Sequence, residues 1–194
     1  MADAVEGDVR RCATGELVVC HDATVDRTTD GSGAVGDLAP SELRSLSVEG
    51  SGDPVPTLDS VLSAVPRGVE LFVELKERGL VEDAVSAVRA AGVDGMVQSF
   101  DDAVVERLRA AAPGMTRALL VADAPEENLA RAEALDCDVV GVHHDLVTPE
   151  FVASAHDAGL AVHAWTVTDA ETGAALVEAG VDALVSDYPD VRPA

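Results

Sequence analysis

The sequence predicts an α/β fold with a parallel sheet, either a (β/α)8 barrel or a doubly wound open sheet. From about residue 70 onward, apolar segments alternate with amphipathic segments whose apolar residues recur every three or four positions. Strand–helix–strand units at this short spacing pair in parallel through right-handed crossovers. A doubly wound sheet normally has a glycine-rich phosphate-binding turn after its first strand, and the sequence shows none.

The strand count of the chain falls one short of a closed barrel, which has eight strands and about 250 residues. The seven candidate strands in the 194 residues are 4–9, 70–76, 95–100, 116–121, 139–144, 161–167 and 183–189. The helices between them are predicted at 80–92, 101–114, 125–136, 148–159 and 168–180. Residues 10–69 interrupt this alternation with turns, and only short helices are expected there, around 40–46 and 57–65.

Residues at the helix ends support these predictions. Thr148, followed by Pro149, is expected to cap its helix, and Thr168 with Glu171 matches a capping box. Glycines stand where left-handed C-caps are needed before the next strand, at Gly92, Gly159 and Gly180.

Composition excludes several classes of protein. The chain is 47% hydrophobic but only 3% aromatic, so Ala, Val and Leu must fill its core. No run of about 18 apolar residues exists, so no stable membrane insertion is expected. The formal charge of −23 repels nucleic acid and anionic membranes.

The charge balance also suggests a habitat. With 36 acidic residues against 13 basic ones, the surface repels itself at low salt. We therefore hypothesise a cytoplasm of high ionic strength, of the haloarchaeal kind. Three cysteines without C-x-x-C spacing, Cys12, Cys20 and Cys137, fit reduced thiols in a cytoplasmic protein.

Acidic side chains on two predicted strands indicate a cation site. Glu6 and Asp8 lie two apart on one strand and so share a face, as do Glu74 and Lys76 on the strand at 70–76. Three carboxylates from two strands would form a hard oxygen site for Mg²⁺ or Ca²⁺. Solvated strand edges are the alternative explanation. Lys76 is the single lysine of a chain that otherwise uses arginine, which favours a specific role for its ammonium group.

Histidines supply candidates for proton transfer. His21, followed by Asp22, closes an apolar run and could act as a general acid or base, although a capping or core role is common for a lone histidine. The Arg27–Thr29 segment could hold an anion or form a structural loop. We interpret His143 and His144 as structural and His163 as a core residue.

In their order along the chain, several segments resemble the glycerophosphodiester phosphodiesterase family. They are "ADAVEGDVRR", "GELVVCHDATVDRTTDGSGAVGDLAPSELRSL", "VPTLDSVL", "LFVELK", "VQSF", "HAWTV" and "VSDYPD". The resemblance extends over essentially the whole chain and implies a single TIM-barrel domain, 1–194. It implies hydrolysis of small-molecule glycerophosphodiesters to glycerol 3-phosphate and an alcohol, with one divalent cation, Mg²⁺ or Ca²⁺.

The same resemblance assigns roles to individual residues. Glu6, Asp8 and Glu74 match the metal ligands, and His21 matches one of two catalytic histidines. Lys76 matches an active-site lysine near the phosphate. Trp165 matches an aromatic residue that lines the substrate pocket, although a residue filling the barrel interior is the alternative.

The opening of the family pattern has no counterpart in the sequence. Family members begin with a strand ending in His-Arg-Gly and a first helix, so we expect a barrel lacking that strand and helix, the second catalytic histidine, an arginine and a glutamate. A misassigned start, a true truncation and completion by a partner chain are the three explanations. We favour the first because the other site residues are intact.

Three functional hypotheses follow. The first is a metal-dependent phosphodiesterase, with little turnover expected from the chain as given. The second is a catalytically impaired remnant that at most binds a cation or phosphate ligand. The third is a barrel phospholipase or lyase of related architecture, which would release a cyclic phosphate.

Overall fold

The computed structural model describes residues 2–188 and 191, which form two compact units. The N-terminal unit spans residues 3–96, and the C-terminal unit comprises the residues from 97 onward together with Ala2. Each unit combines strands with helices that cover them, and each has its own apolar core.

The N-terminal unit has three main strands. They are β1 (Ala4–Arg11), β2 (Leu17–Val19) and β3 (Glu70–Leu75). Strand β1 lies between the other two, antiparallel to β2 and parallel to β3. The helices of this unit are α1 (Pro40–Leu43), α2 (Leu58–Ala64) and α3 (Val81–Ala91), with a 3₁₀ helix at Val35–Asp37.

Most of the C-terminal unit alternates strands and helices. Its strands are β4 (Gly95–Ser99), β5 (Thr116–Val121), β6 (Val139–His143), β7 (Ala161–Trp165) and β8 (Ala183–Leu184). Its helices are α4 (Asp102–Ala111), α5 (Pro125–Ala134), α6 (Pro149–Asp157) and α7 (Ala170–Ala179), and a 3₁₀ helix at His144–Leu146 follows β6. Strands β5 to β8 pair in parallel in sequence order, as predicted.

Small aliphatic side chains fill both cores. In the N-terminal unit Val18, Val25, Val35 and Leu43 are buried beneath the loops of residues 12–56. In the C-terminal unit the strand residues Leu119, Val140 and Val162 pack against Phe151 and Ala155 of α6. Because side chains on both faces of these strands are buried, the strands are nearly continuously apolar, as parallel strands covered by helices should be.

All seven predicted strands and seven predicted helices are present, but some predicted ends are wrong. The Thr168–Glu171 capping box is wrong, because Asp169 caps α7 by accepting a hydrogen bond from Thr172 N. Strand β8 is two residues long, and beyond it Val185 N donates to Ala164 O and the Ser186 hydroxyl donates to Val167 O. Pro189, the predicted end of that strand, lies outside the described residues.

Other predicted ends are confirmed. The Thr148 side chain accepts a hydrogen bond from Phe151 N, with Pro149 at the first helical position. Gly92 and Gly180 are left-handed C-caps, with φ of 64° and 97°. In the part of the chain that the structure describes, no helix is both long and apolar enough to cross a membrane.

Candidate active site

The pairing of β1 with β3 brings three carboxylates together. In this parallel ladder Asp8 pairs with Glu74 and Glu6 pairs with Phe72, so Glu6, Asp8 and Glu74 extend from the same face. One oxygen from each lies within 4.8 Å of the others. Glu74 is buried, with 6% of its surface exposed, whereas Glu6 is exposed. We call these three residues the carboxylate set.

Lys76 supplies the neighbouring positive charge. Its Nζ lies 2.8 Å from Asp8 Oδ1 and 2.6 Å from Glu74 Oε1, and its side chain is 11% exposed. The backbone fixes this placement, because Lys76 N donates to Val9 O at the end of the β1–β3 ladder. A buried carboxylate without a partner would be strongly destabilising, so Lys76 stabilises the carboxylate set in the absence of a cation.

Burial governs the protonation of this pair. Burial raises the pKa of Glu74, and the hydrogen bond from Lys76 only partly offsets that effect. Burial also acts to lower the pKa of Lys76, but its hydrogen bonds to Asp8 and Glu74 leave that pKa raised. Lys76 therefore stays charged, and added positive charge near Glu74 would favour its ionised form.

The carboxylate set has the chemistry of a site for a hard divalent cation. Its donors are all oxygens, which Mg²⁺ and Ca²⁺ prefer, and the buried Glu74 gains most from added positive charge. The separation of the oxygens lets them reach one ion with small side-chain movements. The residues present therefore fit a divalent cation.

His21 belongs to a chain of hydrogen-bonded side chains just beyond β2. Its Nδ1 lies 2.7 Å from Asp22 Oδ1, and Asp22 Oδ2 lies 2.5 Å from Arg27 Nε. The hydrogen bonds from Arg27 and then from His21 hold the pKa of Asp22 well below its usual range. An ionised Asp22 can only accept, so Nδ1 of His21 carries a proton and Nε2 is left to exchange one.

The Arg27–Thr29 segment, for which an anion site and a structural loop were both considered, makes the contacts of a structural loop. Arg27 pairs with Asp22, and the Thr29 hydroxyl donates to Val25 O and accepts from Gly31 N. The structural explanation weighed for these residues therefore fits their contacts.

Arg10 holds the backbone of His21, a contact that was not predicted from the sequence. Its Nε and Nη2 donate to the carbonyl oxygen of His21 at 3.1 and 3.0 Å, and its Nη1 lies 3.0 Å from Glu77 Oε1. Cys20 N donates to Asp8 O, which ties the same loop to β1. The period of two along Glu6, Asp8 and Arg10 places Arg10 on the face of the carboxylates, and this signal could have identified it.

Gly7 allows β1 and β2 to approach closely. A Cβ at this buried position would lie 3.3 Å from Val19 Cγ1. The glycine between Glu6 and Asp8 therefore has a packing reason, since a side chain there would push against the strand that leads to His21.

Trp165 lies in the C-terminal unit at the end of β7. Its ring contacts Phe100 edge-to-face at 5.4 Å and His143 edge-to-face at 5.1 Å. The indole Nε1 is buried and has no hydrogen-bond partner among the residues that the structure describes. Phe100 is 43% exposed, so one side of this aromatic group is open to solvent. An aromatic group of this kind can pack against an apolar or weakly polar part of a ligand.

The sequence of this chain matches one protein family throughout. A model of the glycerophosphoryl diester phosphodiesterase family matches residues 1–191. A glycerophosphodiester phosphodiesterase of Caldanaerobacter subterraneus is 27% identical, over 97% of this chain and 84% of that protein.

Solved structures give the same result for the fold. A glycerophosphodiester phosphodiesterase of Agrobacterium tumefaciens superposes with a TM-score of 0.84 at 28% identity, over 98% of this chain and 86% of that one. An Oleispira antarctica phosphodiesterase, solved with its product sn-glycerol-3-phosphate, gives a TM-score of 0.87 at 28% identity, over 96% and 82%. The predicted α/β class of the TIM-barrel phosphodiesterase type is thereby confirmed.

Proposed function

This chain belongs to the glycerophosphoryl diester phosphodiesterase family, and we propose that it hydrolyses glycerophosphodiesters to glycerol 3-phosphate and an alcohol with one divalent cation, Mg²⁺ or Ca²⁺, held by the carboxylate set. The observation that carries the proposal is the convergence of Glu6, Asp8 and Glu74 beside Lys76. The Oleispira antarctica relative bound to glycerol 3-phosphate supports the product class.

The charges of the site fit a phosphodiester. When bound, the cation supplies positive charge that neutralises phosphate oxygens and activates the attacking oxygen. Lys76 adds a fixed positive charge where negative charge develops in the transition state. Its two carboxylate partners keep it protonated and hold its Nζ in one place.

His21 is the proposed proton carrier. Asp22 holds its Nδ1–H, so Nε2 can take a proton from the attacking oxygen or give one to the leaving alcohol. Arg10 anchors the His21 backbone, and Arg27 keeps Asp22 ionised. By resemblance to the family, Trp165, whose ring packs edge-to-face on the partly exposed Phe100, is proposed to line a substrate pocket.

A substitution in the carboxylate set tests the proposal. Glu74→Gln is expected to lower turnover of glycerophosphocholine and glycerophosphoglycerol by about 10²-fold or more, since charge stabilisation at such sites is worth that much. It should also weaken Mg²⁺ and Ca²⁺ binding in isothermal titration calorimetry. Glu70→Gln is the matched control, because Glu70 is an exposed carboxylate at the start of the same strand.

The products decide between reaction types. Phosphorus NMR should show glycerol 3-phosphate and no cyclic phosphate. Turnover that Glu74→Gln leaves intact would refute the assigned ligand set. A cyclic product would refute hydrolysis and favour a lyase of related architecture.

A reducing cytoplasm of high ionic strength is the proposed setting. Cys12, Cys20 and Cys137 are all free thiols in the fold, and Cys12 and Cys20 are buried. The charge of −23 also argues against nucleic acid as a partner.

A further inference from the structure

Two histidines and an aspartate come together where β6 ends, away from every residue of the carboxylate set along the chain. Neighbouring residues of a strand point to opposite faces. Here the chain turns from β6 into the 3₁₀ helix between His143 and His144, so both imidazoles lie on one side. Their rings stack with centroids 4.6 Å apart and planes at 27°.

The donor atoms of this group have the spacing of ligands on one small ion. His144 Nδ1 lies 3.3 Å from Asp145 Oδ1, and His143 Nδ1 lies 3.7 Å from Asp145 Oδ2. A tetrahedral ion with bonds of about 2.0–2.2 Å separates its ligands by roughly 3.3–3.6 Å. The donor atoms are thus close enough for one ion, and the two stacked rings would rotate out of their stack so that both nitrogen lone pairs point at it.

Local hydrogen bonds leave these donors available. Asp145 N donates to His143 Nδ1 at 3.4 Å, which is long for such a bond and weak. The imidazoles are sheltered, at 35% and 23% exposed, while the Asp145 side chain is 73% exposed. An ion entering from the Asp145 side would thus meet two partly buried imidazoles and one exposed carboxylate.

We propose that His143, His144 and Asp145 form a binding site for a borderline divalent transition-metal cation of the Zn²⁺ class. Two imidazoles with one carboxylate suit Zn²⁺ and Co²⁺, whereas hard cations such as Mg²⁺ prefer oxygen ligands alone. Three protein ligands leave the fourth position of a tetrahedral ion open to water or a ligand. The site shares no residue with the carboxylate set and holds an ion of different chemistry.

The single tryptophan of the chain reports directly on this site. Trp165 is the only tryptophan, and its ring lies 5.1 Å from the His143 ring. Co²⁺ bound at His143 is therefore expected to quench tryptophan fluorescence in a saturable way, with the visible absorption of tetrahedral Co²⁺ appearing in parallel. Zn²⁺ should displace Co²⁺ and restore the fluorescence, while excess Mg²⁺ should not.

Variants of the full chain make the assignment specific. Two variants, His144→Ala and Asp145→Asn, should each raise the Co²⁺ dissociation constant by about tenfold or more, because losing even an outer-shell group costs 10–100-fold in metal affinity. His144→Ala leaves the His143–Trp165 contact in place, so the fluorescence signal is retained. His156→Ala is the matched control, because His156 is a partly exposed histidine paired with an aspartate, Asp182, at 2.9 Å. Glu74→Gln should also leave the quenching unchanged.

Two results would overturn the proposal. One is saturable quenching that survives both His144→Ala and Asp145→Asn with an unchanged dissociation constant. The other is equal weakening by His156→Ala, which would mean that Co²⁺ binds exposed histidines without preference.

Discussion

The Arg27–Asp22–His21 chain determines which nitrogen of His21 can exchange a proton. Asp22→Asn removes the acceptor that holds Nδ1–H, so we expect a mixture of imidazole tautomers and a kcat about 10- to 100-fold lower, the lower range of general acid–base effects. Nitrogen NMR of labelled histidine would show the tautomers, and steady-state kinetics would give kcat.

Asp59→Asn serves as the control for that variant, because Asp59 is an exposed aspartate on α2. An Asp22→Asn protein with wild-type kcat and an unchanged tautomer would contradict the positioning role.

The partly buried His163 gives stability a pH dependence of predictable sign. Burial lowers the pKa of His163, and the negative charge of Asp182 only partly opposes this. The unfolded state therefore takes up the proton first as the pH falls. The contribution of neutral His163 to the free energy of unfolding should be fully present above the unfolded-state histidine pKa of about 6.5. It should decline as the pH falls from there towards the pKa of His163 in the folded state.

Urea unfolding at pH 7.5 and 5.5 tests this sign. His163→Gln should lose less of its free energy of unfolding over that interval than the wild type, with His21→Gln as the exposed-histidine control. Asp182 and its hydrogen-bond partner His156 are present in both variants. Equal slopes for wild type and His163→Gln would contradict the prediction.

The positions of single side chains could be predicted where they depend only on the alternation of a strand and on the pairing of neighbouring strands. Glu74 and Lys76 follow from the pattern of β3, and their meeting with Asp8 follows from the parallel pairing of two strands. The roles of Asp22 and Arg10 were not predictable, because they depend on how the loop after β2 folds back. The assigned roles of Glu6, Asp8, His21, Glu74, Lys76 and Trp165 remain predictions until variants are measured.

At the scale of elements, Gly173 makes α7 sensitive to a single methyl group. A Cβ there would lie 2.1 Å from the backbone oxygen of Val191. Alanine normally stabilises a helix interior by about 1 kcal/mol over glycine. Gly173→Ala should instead destabilise by about 1–3 kcal/mol, the usual cost of overpacking.

Thermal unfolding would measure the effect as a lower Tm. Gly114→Ala is the control, since an added Cβ there meets no atom within 4 Å. A Tm raised by Gly173→Ala would show that the C-terminal residues move aside at no cost.

The existence of the helices and strands was predictable, but several of their ends were not. Thr148 caps α6 as expected, because threonine followed by proline leaves few alternatives. At α7, Thr168 and Asp169 are adjacent candidates for the N-cap. Asp169 takes this position because its carboxylate accepts hydrogen bonds from both the backbone N–H and the hydroxyl of Thr172. The antiparallel β2 was also missed, because three residues are too few for a periodic signal.

For the whole molecule, charge should dominate the response to salt. The net charge of −23 repels itself most strongly in the compact state, and added salt screens this repulsion. We expect Tm to rise between dilute and molar KCl, by about 2–4 °C for each kcal/mol of repulsion relieved. Calorimetry would also test the prediction that residues 1–194 form a single domain, because a single cooperative domain unfolds in one endotherm.

A Tm that falls or stays constant over the same KCl range would refute the high-salt hypothesis. Sodium chloride at equal concentration separates general screening from a specific effect of potassium. Two separate endotherms would mean that the N-terminal and C-terminal units unfold independently.

The burial of the single lysine has a practical consequence for chemical conjugation. Acylating reagents need an unprotonated primary amine, and this chain offers only its α-amino group and Lys76. Burial and two carboxylate partners shield Lys76, and those partners keep its pKa raised. An α-amino group ionises near pH 8 and reacts first. Mild acylation should therefore attach a dye or a solid support at one point, leaving the proposed catalytic ammonium group unmodified.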